Sequence, residues 1–306
     1  MNGYIKPRAL KPGDTIGIIS PCSGMSEAGV AAALEGIKSR GYNYKLGKYV
    51  FSKTDGYAGS IEERAADFND MIADPEVNML LFPGGEISNE ILPYIDYEAI
   101  RKNPKIICSY SDGTSIVEAV HYMTGLITFY SGSTRLFDPI IDYNMRSFES
   151  RLVTGDCAYE KATEWRVVRP GIAEGEIVAG YLWNFALLQN GGYYKVPEEK
   201  YILFIEDYES FSKPSRMSKF FQDMVQKGAF ERATGLVFGH YSSDPEKVEK
   251  ILPVLRRLGD RLNIPVVYTD DYGHGEYMSI FPIGVQARLD TSTDSFVMYE
   301  SGVETK

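Results

Sequence analysis

The stretch that most constrains this chain is 104–125, PKIICSYSDGTSIVEAVHYMTG, where an apolar, β-rich run stops on a serine and turns into a helix. Residues 105–110 are rich in Ile and hold no breaker, which predicts a buried strand. Ile116, Val117, Val120 and Met123 recur at a helical period, which predicts a helix over 113–123. Asp112, Gly113 and Thr114 supply the turn and the cap between them. The motif Ser109-Tyr110-Ser111-Asp112-Gly113 has the form small-x-Ser-x-Gly. Such a strand-to-helix turn lifts a hydroxyl out of the sheet and aims the next backbone N–H groups at an oxyanion. A serine there can equally be a plain N-cap, so the role of Ser111 depends on what the rest of the chain offers it.

Upstream, strands are predicted at 15–20, 44–50 and 77–82, alternating with helices at 26–40 and 60–73, the second opened by a capping box from Ser60 to Glu63. This alternation predicts a doubly wound parallel sheet of the Rossmann or flavodoxin-like kind, with helices on both faces. In such a sheet the site lies at the carboxyl ends of the strands, so loops 21–24 and 83–86 and the turn at 109–113 converge on one edge. Gly84 and Gly85 then bring bare backbone beside Ser111, and the N–H groups of Gly85 and Asp112 form a candidate oxyanion hole. An ordinary glycine turn after a strand is the alternative. Gly84 and Glu86 are also candidates for substrate contact. A further strand is predicted at 127–131 and a helix at 144–152.

After a looser connection at 156–170 the pattern changes. Strands are predicted at 164–169, 176–181, 201–206, 235–241, 266–269, 286–289 and 295–299, interrupted only by helices at 215–226 and 245–261. This describes a smaller, β-rich α+β domain, so we divide the chain into domains at 1–158 and 159–306.

With 42 acidic and 32 basic residues, a net charge of −10 argues against nucleic acid or an anionic membrane as partner. No segment approaches about 18 uninterrupted apolar residues, and the opening MNGYIKPRALKPGD lacks a hydrophobic signal core; a cytoplasmic location is expected. Cys22, Cys108 and Cys157 are far apart and lack C-x-x-C pairing, so neither a disulfide framework nor a metal site is expected, and no cofactor. Cys108 is predicted to be a buried thiol on the strand face opposite Ser111.

A nucleophilic serine needs a base, and the chain has three histidines, His121, His240 and His274. His121 sits ten residues along the helix from Ser111, about 15 Å of rise away. His240 ends an apolar strand with nothing beside it that signals chemistry. His274 lies in DDYGHGE, where flanking glycines leave the imidazole unencumbered, and is the first choice. For the carboxylate that would orient the base, Glu206 ends the buried run YILFIE, where an acid is costly unless used, with Asp207 in reserve.

Taken together, LKPGDTIGIISP, GYAGSIEERAADFNDMIADPEV, GGEISNEILPYIDYEAIRKNPKIICSYSDGTSI, YILFIED, GLVFGHY and YGHGEYMSIFPIGVQARLD make the chain resemble the LD-carboxypeptidase family of serine peptidases along nearly its whole length. This family includes murein tetrapeptide carboxypeptidases and microcin C immunity peptidases; SNEILPYIDYEAIRKNPK and TGLITFYSG lie nearer the immunity branch. The resemblance implies a Ser–Glu–His triad at Ser111, Glu206 and His274, an oxyanion hole at Asp112 and Gly85, and a homodimer with the site between an N-terminal α/β and a smaller β-rich domain. It implies cleavage of an amide in a small peptide or a peptidyl or aminoacyl nucleotide. A binding protein that keeps the fold without turnover is the rival from another class.

The chain departs from the family at two places. Ser109 and Gly113 stand where the family has Gly and Ile, and a Gly-Asn-Leu stretch is here Gly180-Tyr181-Leu182-Trp183-Asn184. Burial statistics place Trp183 and Phe185 in the core of the second domain. If Trp183 lines the cleft instead, it offers a stacking plane for a nucleobase.

Overall fold

Short apolar runs separated by helices build the first sheet of the protein. In the computed structural model, which describes residues 3–189 and 191–305, its strands are β1 (Thr15–Ile18), β2 (Asn43–Leu46), β3 (Val77–Leu81), β4 (Ile106–Ser109) and β5 (Thr128–Tyr130). They pair in parallel in the order β2-β1-β3-β4-β5. Helices α1 (Glu27–Ser39), α2 (Ile61–Ala73), α3 (Tyr97–Lys102) and α4 (Thr114–Thr124) connect them, and α5 (Asp142–Phe148) follows. The predicted capping box is formed: Ser60 Oγ accepts from Glu63 N–H, and the Glu63 carboxylate accepts from Ser60 N–H.

The second sheet is built from β6 (Arg166–Arg169), β7 (Ile172–Tyr181), β8 (Tyr201–Glu206), β9 (Ala233–His240) and β10 (Val266–Gly273), closed by β12 (Gln286–Asp290) and β13 (Ser295–Met298). Its order is β13-β12-β7-β8-β9-β10-β6, with β7 to β10 parallel and the flanking pairs antiparallel. Helices α6 (Leu182–Leu188), α7 (Pro214–Gln226) and α8 (Pro245–Leu262) complete this half. The short strand β11 (Phe281–Ile283) leaves it and pairs antiparallel with β5, so the late chain supplies the edge of the first sheet.

Three differences from the sequence reading have local causes. The second strand stops at Leu46, because the Asp67 carboxylate takes the Tyr49 N–H and turns the chain away from the ladder. Helix α6 was not expected; its run LWNFALL is too short and too apolar to show a helical period. The turn at Ser111–Gly113 is 3₁₀, and Asp112 does not cap α4, its carboxylate being taken by Ser88 and Asn184.

The strand-end loops are held together by one buried side chain. Arg64 of α2 donates from Nη1 to the carbonyls of Pro21 (2.9 Å) and Ile87 (3.2 Å) and from Nε to that of Gly59 (2.9 Å), and it pairs with Glu90. Removing it leaves three carbonyls in its buried niche without their donor. Arg64→Met should therefore lower the unfolding free energy by about 3 kcal/mol in a denaturant titration. A change below about 1 kcal/mol would show that the loops hold without it.

Candidate active site

Strand β4 delivers Ser111 to the sheet edge in a strained backbone: its φ is 55°, in the left-handed region that a non-glycine residue enters only when its surroundings impose it. Three contacts do so. Ser111 N–H donates to Tyr130 Oη (3.1 Å), Thr114 Oγ1 donates to the Ser111 carbonyl (2.6 Å), and Gly84 lies so close that a Cβ there would stand 2.6 Å from Ser111 Cβ. The departure at 109 and 113 is a matched pair, since a Cβ on Gly113 would collide with the Ser109 hydroxymethyl group, which donates to the Phe82 carbonyl at 2.9 Å.

The chain brings Ser111, His274 and Glu206 together from three elements. Ser111 Oγ lies 2.9 Å from His274 Nε2, and His274 Nδ1 lies 2.7 Å from Glu206 Oε2. A carboxylate only accepts, so Nδ1 carries the proton and Nε2 is left to accept from the serine hydroxyl. Glu206, at the end of β8, is fully buried, and its other oxygen accepts from Tyr130 Oη at 2.7 Å. Tyr208 stacks on the His274 ring at 5.2 Å, and Tyr110 and Tyr181 pack at 5.4 and 5.3 Å. Burial alone would pull the His274 pKa down, but the Glu206 carboxylate outweighs it, and the net shift is upward.

The other sequence candidates fall as follows. His121 is buried, bonded through Nδ1 to the Leu126 carbonyl and pushed down to about 4 by burial. His240 pairs with Asp270 at 2.7 Å. Asp207, pushed up to about 7 by burial, accepts from Tyr208 N–H; Glu206 is the acid bonded to His274. Cys108 is buried, with its thiol pKa raised by desolvation. Gly84, Gly85 and Glu86 converge with Cys22 and Ser111 at the strand ends, where Glu86 N–H donates to the Cys22 carbonyl at 3.1 Å. Phe185 is core, but Trp183 is 40% exposed and lines a cavity of about 450 Å3 with Ser111, so its expected burial is corrected: α6 turns its indole outward.

Tyr130, Asn184 and Arg216 were not singled out from the sequence. Asn184 donates to the Asp112 carboxylate at 2.6 Å, and burial raises the Asp112 pKa. Among the described residues no group of three or more His, Cys, Asp or Glu side chains is placed to hold a metal ion, and no helix is long and apolar enough to cross a membrane.

A hydroxyl, an imidazole and a buried carboxylate in hydrogen-bonded series at the strand ends of an α/β fold are the parts of a hydrolase site. Residues 16–131 match the LD-carboxypeptidase N-terminal domain, and residues 174–289 match the LD-carboxypeptidase C-terminal domain. The chain is 32% identical to a probable murein peptide carboxypeptidase of Bacillus subtilis, over 97% of this chain and 95% of that one. It is 28% identical to the microcin C7 self-immunity protein MccF of Escherichia coli, over 97% and 96% of the two chains. The structure of MccF in complex with glutamyl sulfamoyl guanosine superposes with a TM-score of 0.89 at 25% identity, covering 98% of this chain and 99% of that one. The chain belongs to the LD-carboxypeptidase family, and it is a hydrolase acting on peptide bonds.

The imidazole environment makes a direct test possible. Because Glu206 stabilises the imidazolium, His274 should titrate above the ordinary 6.5 when followed by NMR. The stability this pair contributes is fully present below pH 6.5 and is lost as pH rises through the folded pKa. In Glu206→Gln the burial cost remains and the midpoint should fall below that of the wild type; an unchanged midpoint would disconnect the two groups.

Proposed function

We propose that the protein is a serine peptidase in which Ser111 attacks the carbonyl of an amide, His274 takes its proton and returns it to the departing nitrogen, and Glu206 holds His274 in the Nδ1–H tautomer. The observation that carries this reading is the unbroken series from Ser111 Oγ to His274 Nε2 and from Nδ1 to Glu206, at 2.9 and 2.7 Å. The oxyanion is assigned to the N–H groups of Gly85 and Asp112; the N–H of Ser111 itself is engaged by Tyr130. Water then attacks the acyl-enzyme with the same imidazole as base. In this reading the first domain, 1–158, brings the nucleophile and the second, 159–306, the acid and base. The gap between the two family matches, 131 to 174, supports a boundary there. The enzyme acts in the cytoplasm as a homodimer; sedimentation velocity returning a monomer would remove the second part.

Ser111→Ala should lower kcat by several powers of ten with folding intact, and a fluorophosphonate should label Ser111 in the wild type. Full activity in the variant, or labelling elsewhere on folded protein, would sink the assignment.

For the substrate we propose the amide of a peptidyl or aminoacyl nucleotide, with the L,D bond of a murein tetrapeptide as the second reading. The exposed indole of Trp183 in the cavity beside Ser111 favours the first, because base–aromatic stacking is worth roughly 1–3 kcal/mol. The solved complex of MccF with glutamyl sulfamoyl guanosine supports it. The 32% identity to a probable murein peptide carboxypeptidase supports the second. Trp183→Ala should raise KM for a nucleotide-bearing substrate about 10-fold or more and leave that for a muropeptide within about 3-fold. Equal effects on both would remove the structural reason for a nucleotide.

A further inference from the structure

The cavity of about 450 Å3 beside Ser111 is lined by one cationic side chain, Arg216. It stands in the first turn of α7, which follows the loop after Glu206. Its Nη1 donates to the Phe211 carbonyl at 2.5 Å, and its guanidinium lies over the Trp183 indole, 5.9 Å from Cζ to the ring centre. Among the described residues no carboxylate pairs with Arg216, and Nε and Nη2 have no protein acceptor. A guanidinium fixed at one nitrogen and against one aromatic face, with the rest of its donor fork unspent, is preorganised for a planar or tetrahedral acid. Such fixing lowers the ordering cost that binding otherwise carries.

The surrounding charge sharpens this. Glu86 lines both this cavity and the neighbouring one of about 560 Å3, which adds His274 and Tyr57 but no lysine or arginine. On the His274 side Arg135 lies over the Tyr110 ring at 5.7 Å and donates from Nη2 to the Gly275 carbonyl at 2.9 Å, so Arg216 is the cation that an anion meets on the Trp183 side. Arg216 also lies within electrostatic reach of the Tyr181 hydroxyl, and the Tyr181 ring packs on His274 at 5.3 Å.

We propose that Arg216 is the residue that binds an anionic group on the departing half of the substrate, held within a few bonds of the scissile amide. The inference rests on the assignment of Ser111 as nucleophile and adds the chemistry of the leaving group. Two leaving groups share that chemistry: an amino acid with its terminal carboxylate, and a nucleotide whose phosphate-like acid adjoins the amide. In the second case the plane that steadies Arg216 also faces the base.

The test compares matched pairs: a tetrapeptide acid with its carboxamide, and an aminoacyl nucleotide with a charge-neutral analogue of its linkage. The readout is the ratio of kcat/KM for the charged member to that for the neutral one. Arg216→Ala should lower this ratio about 10- to 100-fold, chiefly through KM, on at least one pair, and Arg216→Lys should restore it in part. Loss on the tetrapeptide pair alone identifies a carboxylate; loss on the nucleotide pair alone identifies the phosphate-like acid. No charged-substrate preference in the wild type, or an unchanged ratio in Arg216→Ala on both pairs, overturns the proposal. Ser111→Ala separates the two claims: if it retains turnover, the nucleophile assignment fails, whereas an inactive Ser111→Ala with an insensitive Arg216→Ala leaves that assignment standing and removes this one.

Discussion

The fully buried carboxylate of Glu206 is the constraint on which the site depends. An ionised acid taken out of water costs several kcal/mol unless both oxygens find donors. One donor is Tyr130 Oη from the first sheet, and the other is His274 Nδ1 from the loop after the second. Satisfying one group therefore fixes the distance between the two sheets. Tyr130 carries the effect further, because the hydroxyl that donates to Glu206 accepts from Ser111 N–H. Glu206, Ser111 and His274 are thus placed by one short network, and the left-handed backbone of Ser111 is tolerated because that network and Gly84 over-determine it.

Most of the fold was legible because its signals are local. Ile-rich runs ending in turns marked the strands, and Ser60 with Glu63 marked a helix start. Ser111, Glu206 and His274 could be singled out because each breaks a local rule: a serine in a strand-to-helix turn, an acid at the end of an apolar strand, and a histidine between glycines. Tyr130, Arg64 and Arg216 break none. A tyrosine ending a strand and an arginine on a helix are ordinary until the tertiary fold sets an acid, a ring of carbonyls or an indole beside them. Trp183 was misplaced for a related reason. Burial statistics describe a residue type, whereas α6, too short to be read, decides which way this indole faces.

The departures from the family pattern also differ in kind. Ser109 and Gly113 exchange bulk between two facing positions, so the turn keeps its shape while the side chains trade places. The stretch from Gly180 to Asn184 does more, since it carries both a side chain that braces the turn at Ser111 and one that lines the cavity. Asn184 faces inward and holds the Asp112 carboxylate, while Trp183, one residue earlier, faces the cavity. Helical geometry separates adjacent side chains by about 100°, which lets one short helix brace the turn at Ser111 and shape the cavity at once.

Strand β11 gives the molecule a mechanical property. The chain from 274 to 280 starts at the histidine, beyond the end of the second sheet, and finishes in β11, hydrogen-bonded to β5 with Phe281 opposite Tyr130. A hinge that swung the sheets apart would pull directly on this tether and would have to strip β11 from its neighbour before the cleft could widen. The tether thus resists widening of the cleft and ties the segment that carries His274 to both sheets of the molecule.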